Sequence, residues 1–155
     1  MIYSDLVGII ADDLTGANDT ALQFQQFGAS TKILLDTSNI PKVKVGTEVW
    51  ALSSESRNVS QGEATIRVGK ATKVFMENFD FEHYYKKIDS TLRGNIAVET
   101  LTILDMLNYD AAIIIPAFPQ EGRITVGGYH LLKGIPIGRT EIAIDPHSPI
   151  TESHV

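Results

Sequence analysis

The sequence predicts a layered α/β/α domain on a mainly parallel sheet, followed by a C-terminal β-hairpin. Two patterns lead to that fold class. Apolar runs of strand length alternate with segments of helical period, as in a sheet covered by helices on both faces. Polar residues able to do chemistry collect just after the strand-length runs, at the edge where parallel sheets bind ligands.

Residues 6–11 form a continuous apolar run ending at Asp12 and Asp13, which suits a strand buried on both faces. A helix follows over residues 16–27, with Ala17, Ala21 and Phe24 on one face and Gly28 placed to stop it. Residues 32–36 and 48–52 read as further strands, the second running into the polar loop SSESRN. Ser60 and Glu63 have capping-box spacing, and the helix after them puts Ala64, Val68, Ala71 and Phe75 on one face. Residues 83–88 read as a fourth strand, 95–107 as a third helix and 111–115 as a fifth strand. Residues 129–132 and 135–137 read as a hairpin turning at Lys133 and Gly134, and the remaining tail reads as irregular, with no closing element.

Composition bounds the function. The chain has 155 residues, 43% hydrophobic and 21% charged, enough for one domain with a core. It has no cysteine, which excludes disulfides and thiolate chemistry. A net charge of −6 argues against nucleic acid or an anionic membrane as partner, but a small anion can still bind where a few cations cluster. No apolar run has transmembrane length, and the N-terminus reads as a strand rather than a signal peptide, so the expected location is the cytoplasm.

The chemistry is concentrated after the strands. Asp12, Asp13 and Thr15 follow the first, Ser54, Ser56 and Arg57 the third, and Asp89, Ser90 and Arg93 the fourth. The stretch PAFPQEGR, with Arg123, follows the fifth. Arginines can clamp a carboxylate through two parallel hydrogen bonds. Aspartates accept from hydroxyls, and serine and threonine do both. Together these residue types suit a short polyhydroxy acid. Each has a plainer reading. Asp12 or Asp13 can be a helix cap, the glycines can serve turns, and His130 reads as a packed histidine. Gly69-Lys70-Ala71 is no phosphate loop, because alanine replaces the hydroxyl residue. No G-x-S-x-G elbow is present, and Leu14 stands where a phosphatase D-x-D loop needs its second aspartate.

Four stretches resemble the four-carbon acid sugar kinases: ADDLTGANDT (11–20), KKIDSTLRGN (86–95), PAFPQEGRITVGGYH (116–130) and DPHSPITESHV (145–155). The resemblance implies an ATP-dependent kinase of two α/β domains, the first binding the acid sugar and the second binding ATP with its magnesium. It implies phosphorylation of the terminal hydroxyl of a threonate, erythronate or 3-oxo-tetronate. Asp12, Asp13, Thr15, Lys87, Asp89, Ser90 and Arg93 match the family's motifs and would line the substrate cleft, with Ser54, Ser56, Arg57 and Arg123 nearby. The family's chains are more than twice as long, so the resemblance implies that residues 1–155 are an acid-sugar-binding domain, itself incomplete, without the nucleotide domain.

On this reading the arginines and Lys87 fix the carboxylate, and Asp13 or Asp89 orients and deprotonates the acceptor hydroxyl. A stand-alone binding module or inactive fragment, and a phosphatase using the Asp12 loop, are the alternatives. The C-terminal part, with apolar surface uncovered, is expected to be loosely ordered or to pair with a second copy.

Overall fold

The computed structural model describes residues 7–38, 40 and 46–155. Strand β1 (Val7–Ala11) begins the fold; Leu6, expected to open it, lies outside the described residues. Helix α1 (Leu14–Gln26) leads to β2 (Thr31–Leu34), and β3 (Val49–Ser53) leads through α2 (Gln61–Asn78) to β4 (His83–Lys87). Helix α3 (Ile96–Leu107) follows. The four strands form a parallel sheet in the order β2-β3-β1-β4.

Period-two alternation explains why β1 is central. Ile9 and Ala11 pack with Ala17 and Ala21 of α1 and with Val49 and Ala51 of β3. Ile10, on the opposite face, packs with Trp50, Leu52, Val68 and Phe75, and Ile103 of α3 joins that cluster. Phe75 and Ile10 are within 1% of complete burial, and burying one such side chain contributes about 1.5–3 kcal/mol. Helices cover both faces, as expected.

Local chemistry sets the boundaries. Gly28 has φ +96°, the left-handed conformation that ends α1. Strand β2 stops two residues before Asp36, whose carboxylate accepts from the Ser38 amide at 2.8 Å and so turns the chain out of the sheet. Ser60 caps α2 by accepting from the Glu63 amide at 3.4 Å, while the Glu63 carboxylate pairs with Arg67 at 2.7 Å.

The expected fifth strand is not formed. Residues 111–115 make no ladder, and Ile113 and Ile115 are 90% and 73% exposed. An apolar run becomes a buried strand only where a neighbour strand and a covering layer meet it, and the described residues supply neither. The stretch carrying Arg123 therefore does not follow the end of a strand, contrary to expectation.

The C-terminal part is more ordered than expected. The hairpin of β6 (Tyr129–Leu132) and β7 (Ile135–Pro136) turns at Lys133 and Gly134, both at positive φ, a geometry that matches the twist of the flanking strands. Strand β5 (Arg123–Val126), absent from the sequence reading, pairs antiparallel with β6 and completes a second sheet. The tail folds back onto it. His130 N donates to Ser153 O at 2.7 Å, and Val155 N donates to Gly128 O at 2.8 Å. None of the described helices is long and apolar enough to cross a membrane.

Candidate functional site

Parallel register brings the polar loops level. Ala11 pairs with Ser53 and with Lys87, so Asp12, Ser54 and Ile88 are the first residues beyond the sheet. The loops are stitched together there. Asp12 N donates to Lys87 O at 3.3 Å, Ser54 N to Ala11 O at 2.8 Å, and the Ser56 amide to Asp12 O at 2.9 Å. The expectation that Asp12 and Asp89 share one edge holds in the structure. Two connecting loops contain a non-glycine residue at left-handed φ, Glu55 at +50° and Leu92 at +66°. Each such residue costs about 1–2 kcal/mol, a cost commonly found at functional sites.

Arg57 does not present an open clamp. Its Nε and Nη2 donate to the two oxygens of Asp12 at 2.8 and 2.9 Å, and Nη1 donates to Asp13 at 2.6 Å. Asp12 is only 2% exposed. Burial works against the Arg57 charge, but hydrogen bonding to Asp12 and the charges of Asp12, Asp89 and Asp13 outweigh it and raise its pKa. Ser54 and Ser56 are also buried. Their hydroxyls bond each other at 2.8 Å, and Ser54 Oγ donates to Ala11 O at 2.8 Å. These residues shape the loop and do not face outward.

Arg93 is likewise occupied. Its Nε donates to Asp89 Oδ2 at 2.7 Å and its Nη1 to Asp145 at 3.1 Å. The Thr91 hydroxyl donates to the same Asp89 oxygen. Burial would raise the Asp89 pKa, but hydrogen bonds from Arg93 and Thr91, with the charges of Arg93 and Arg57, hold it at about 2. Mutually, Asp89 first and then Asp145 raise the Arg93 pKa against the effect of burial. A carboxylate held so firmly ionised is a weak proton acceptor, whereas Asp13 remains 25% exposed at its side chain. Asp13 caps α1, accepting from the Gly16 amide at 2.7 Å.

Two cations stand apart. Lys87 Nζ donates to Ile88 O at 2.7 Å, and Arg123 Nη1 donates to Ser90 Oγ at 2.8 Å. Neither has a carboxylate within 4.0 Å among the described residues, and Arg123 Nε is buried without an acceptor. A Cβ on Gly16 would lie 2.7 Å from Asp13 Oδ1 and 3.3 Å from Lys87 Nζ. The ammonium and the carboxylate thus flank one point over the N-terminus of α1, where backbone amides add positive potential. Thr15, exposed, directly precedes Gly16 in the first turn of that helix.

Sequence reasoning missed several contributors. Asp145 accepts from the His147 and Ser148 amides, both at 2.9 Å, as well as from Arg93. The D-P-H-S string carries that turn signal. Asn95 Nδ2 donates to Ser56 O and Val59 O at 2.9 Å, tying the β3 loop to α3. Lys86 pairs with the buried Glu99 at 2.6 Å and also donates to Lys87 O at 2.9 Å. A cavity of about 310 Å³ opens beside Arg57, between Ser60, Asn95 and the turn at His147 and Ser148. Of the residues expected in the site, only Arg57 lines it.

The chain is 40% identical over 151 residues to a D-erythronate kinase of Heliobacterium modesticaldum, covering 96% of this chain and 34% of that protein. It is 37% identical over 147 residues to a D-threonate kinase of Salmonella typhimurium, covering 95% of this chain and 34% of that protein. It therefore spans about a third of the length of these kinases. A domain of unknown function from Bordetella bronchiseptica, crystallised as a domain-swapped dimer with bound citrate, matches the fold at a TM-score of 0.84 and 34% identity. That match covers 96% of this chain and 38% of the Bordetella chain. Residues 7–155 match the family described as the sugar-binding N-terminal domain, and the chain belongs to that family.

Proposed function

We propose that residues 1–155 form the acid-sugar-binding domain of an ATP-dependent kinase that phosphorylates a four-carbon acid sugar on its terminal hydroxyl. The names of the matched kinases support a threonate, an erythronate or a related 3-oxo acid as substrate. The citrate bound by the Bordetella relative supports a small polar anion. The observation that carries the reading is the pair of cations without acidic partners among the described residues, Lys87 and Arg123, beside an edge otherwise lined by neutralised aspartates.

In this arrangement Lys87 and Arg123 receive the ligand carboxylate, and Arg57 and Arg93 hold Asp12 and Asp89 in place. Asp13, the most exposed of these aspartates, accepts the hydrogen bond of the acceptor hydroxyl and is the group positioned to take its proton. Thr15 adds a hydroxyl beside it. The described residues contain no group of three or more acidic, histidine or cysteine side chains that fits a metal ion, and Arg57 and Arg93 occupy the aspartates. No step is therefore assigned to magnesium or ATP on these residues; both would be held by the part of the kinase that this chain does not span. Such an enzyme would act in the cytoplasm, and the dimeric Bordetella relative is consistent with a homodimer.

Calorimetric titration of the chain with D-threonate and D-erythronate tests the reading. Binding is expected, and Lys87→Met and Arg123→Ala are each expected to weaken it at least about 30-fold, the effect of losing one partner of a desolvated charged pair. Unchanged affinity in both variants, or no binding of either acid, would overturn it.

A further inference from the structure

His130 lies on β6, wholly buried, and its ring reaches from its own sheet to the site loop. Nε2 is 2.7 Å from Ser90 O. A carbonyl only accepts, so Nε2 carries the proton, and in the neutral ring Nδ1 is left to accept from the Thr125 hydroxyl at 3.0 Å. Geometry thus sets the tautomer.

Ser90 is held by both of its oxygens from the C-terminal sheet. His130 takes the carbonyl, and Arg123 takes the hydroxyl through Nη1. This fixes the guanidinium on one side and leaves its Nε, buried and without an acceptor, on the other. The Nε and Nη2 edge is the one by which Arg57 grips both oxygens of Asp12. In Arg123 the same edge has no partner among the described residues. The loop that carries Ser90 also contains Leu92 at φ +66°, a conformation that needs outside support.

We propose that His130 is a positioning residue for acid recognition. Through Ser90 it orients Arg123 so that Nε and Nη2 meet the ligand carboxylate as a two-pronged donor. The inference rests on the reading of Arg123 as a carboxylate-binding group, and it makes the C-terminal antiparallel sheet part of the binding site.

The test uses the ¹⁵N-labelled chain with D-threonate as probe. Nitrogen shifts of the His130 ring should show a protonated Nε2 and a bare Nδ1, and the Arg123 Nε–H resonance should move on titration. His130→Phe removes the donor, while His130→Gln can return an N–H toward Ser90 O. His130→Phe should bind about 10-fold more weakly, as for one lost hydrogen bond, and His130→Gln should stay within about 3-fold of the unsubstituted chain. The two variants should have similar melting temperatures. A bare Nε2 would overturn the proposal, even if His130→Phe failed to fold. So would His130→Phe binding as the unsubstituted chain does, or His130→Gln binding no better than His130→Phe. Failure of the unsubstituted chain to bind D-threonate would remove the Arg123 reading and this inference together, whereas normal binding with an indifferent residue 130 removes this inference alone.

Discussion

Asp89 is buried beside Arg93 and Thr91 with its pKa held at about 2, against a usual value of 3.8. A carboxylate whose folded-state pKa is depressed adds stability that is fully present above its unfolded value. That stability is lost as pH falls through the folded value. The shift corresponds to about 2 kcal/mol, present above about pH 4 and lost toward pH 2. Arg93→Ala should remove this contribution and leave Asp89 buried without its partner. The expected cost at neutral pH is near the low end of the 3–5 kcal/mol typical of broken buried pairs, roughly 3 kcal/mol, because Arg93 is 30% exposed. Urea unfolding between pH 2 and 7 should show both the loss and a flatter acid limb. Gly16 offers a second check. A methyl there would meet Asp13 Oδ1 at 2.7 Å, so Gly16→Ala should shift Asp13 and Lys87 and weaken D-threonate binding while leaving the helix formed. Calorimetry and circular dichroism together would show it. At this scale the sequence revealed which residues reach the edge but not how they pair. Nothing in the spacing of Asp12 and Arg57 says whether the arginine grips a ligand or the aspartate, because the two are brought together across 45 positions by strand register.

At the scale of elements, the tie between β4 and α3 is the most demanding. Glu99 is 1% exposed, one of its oxygens has no partner among the described residues, and Lys86 supplies the compensating charge. Lys86→Met should cost about 3–5 kcal/mol by stranding that carboxylate, and adding Glu99→Leu should recover most of the loss. A double-mutant cycle by urea unfolding measures the coupling, and an additive result would contradict it. The helices and the strands of the parallel sheet were legible because their apolar periods are long and their caps specific, as Ser60 shows. Strand β5 was not, because its four residues lack a buried alternating face: three of them, Ile124, Thr125 and Val126, are exposed. Residues 111–115 misled in the opposite sense, since three consecutive isoleucines satisfy the strand pattern whether or not a sheet is there to receive them.

For the whole molecule, β1 lies between β3 and β4 in the order β2-β3-β1-β4 and is buried on both faces, and the apolar run into Asp12 already signalled that burial. The second sheet pairs strands adjacent in sequence, whereas its tail contacts, His130 with Ser153 and Val155 with Gly128, join distant positions that no local pattern encodes. The uncovered isoleucines bear on solubility. Ile113 and Ile115 contribute little to the fold at 90% and 73% exposure, so Ile113→Lys with Ile115→Lys should change unfolding free energy by less than about 1 kcal/mol. Self-association, followed by light scattering against concentration, should fall in the same variant. A large loss of stability would mean that the segment is packed after all.

The contact between Arg93 and Asp145 joins positions 52 residues apart, one on the site loop and one in the tail. Binding and tail detachment therefore share a free energy. If a ligand favours the state in which Arg93 and Asp89 are in place, it must also disfavour release of the tail by the same factor. Proteolytic cleavage after residue 145 then becomes a gauge of occupancy. Its rate should fall in proportion to 1 + [L]/Kd when cleavage proceeds through the opened tail, so the site can be titrated without observing its chemistry.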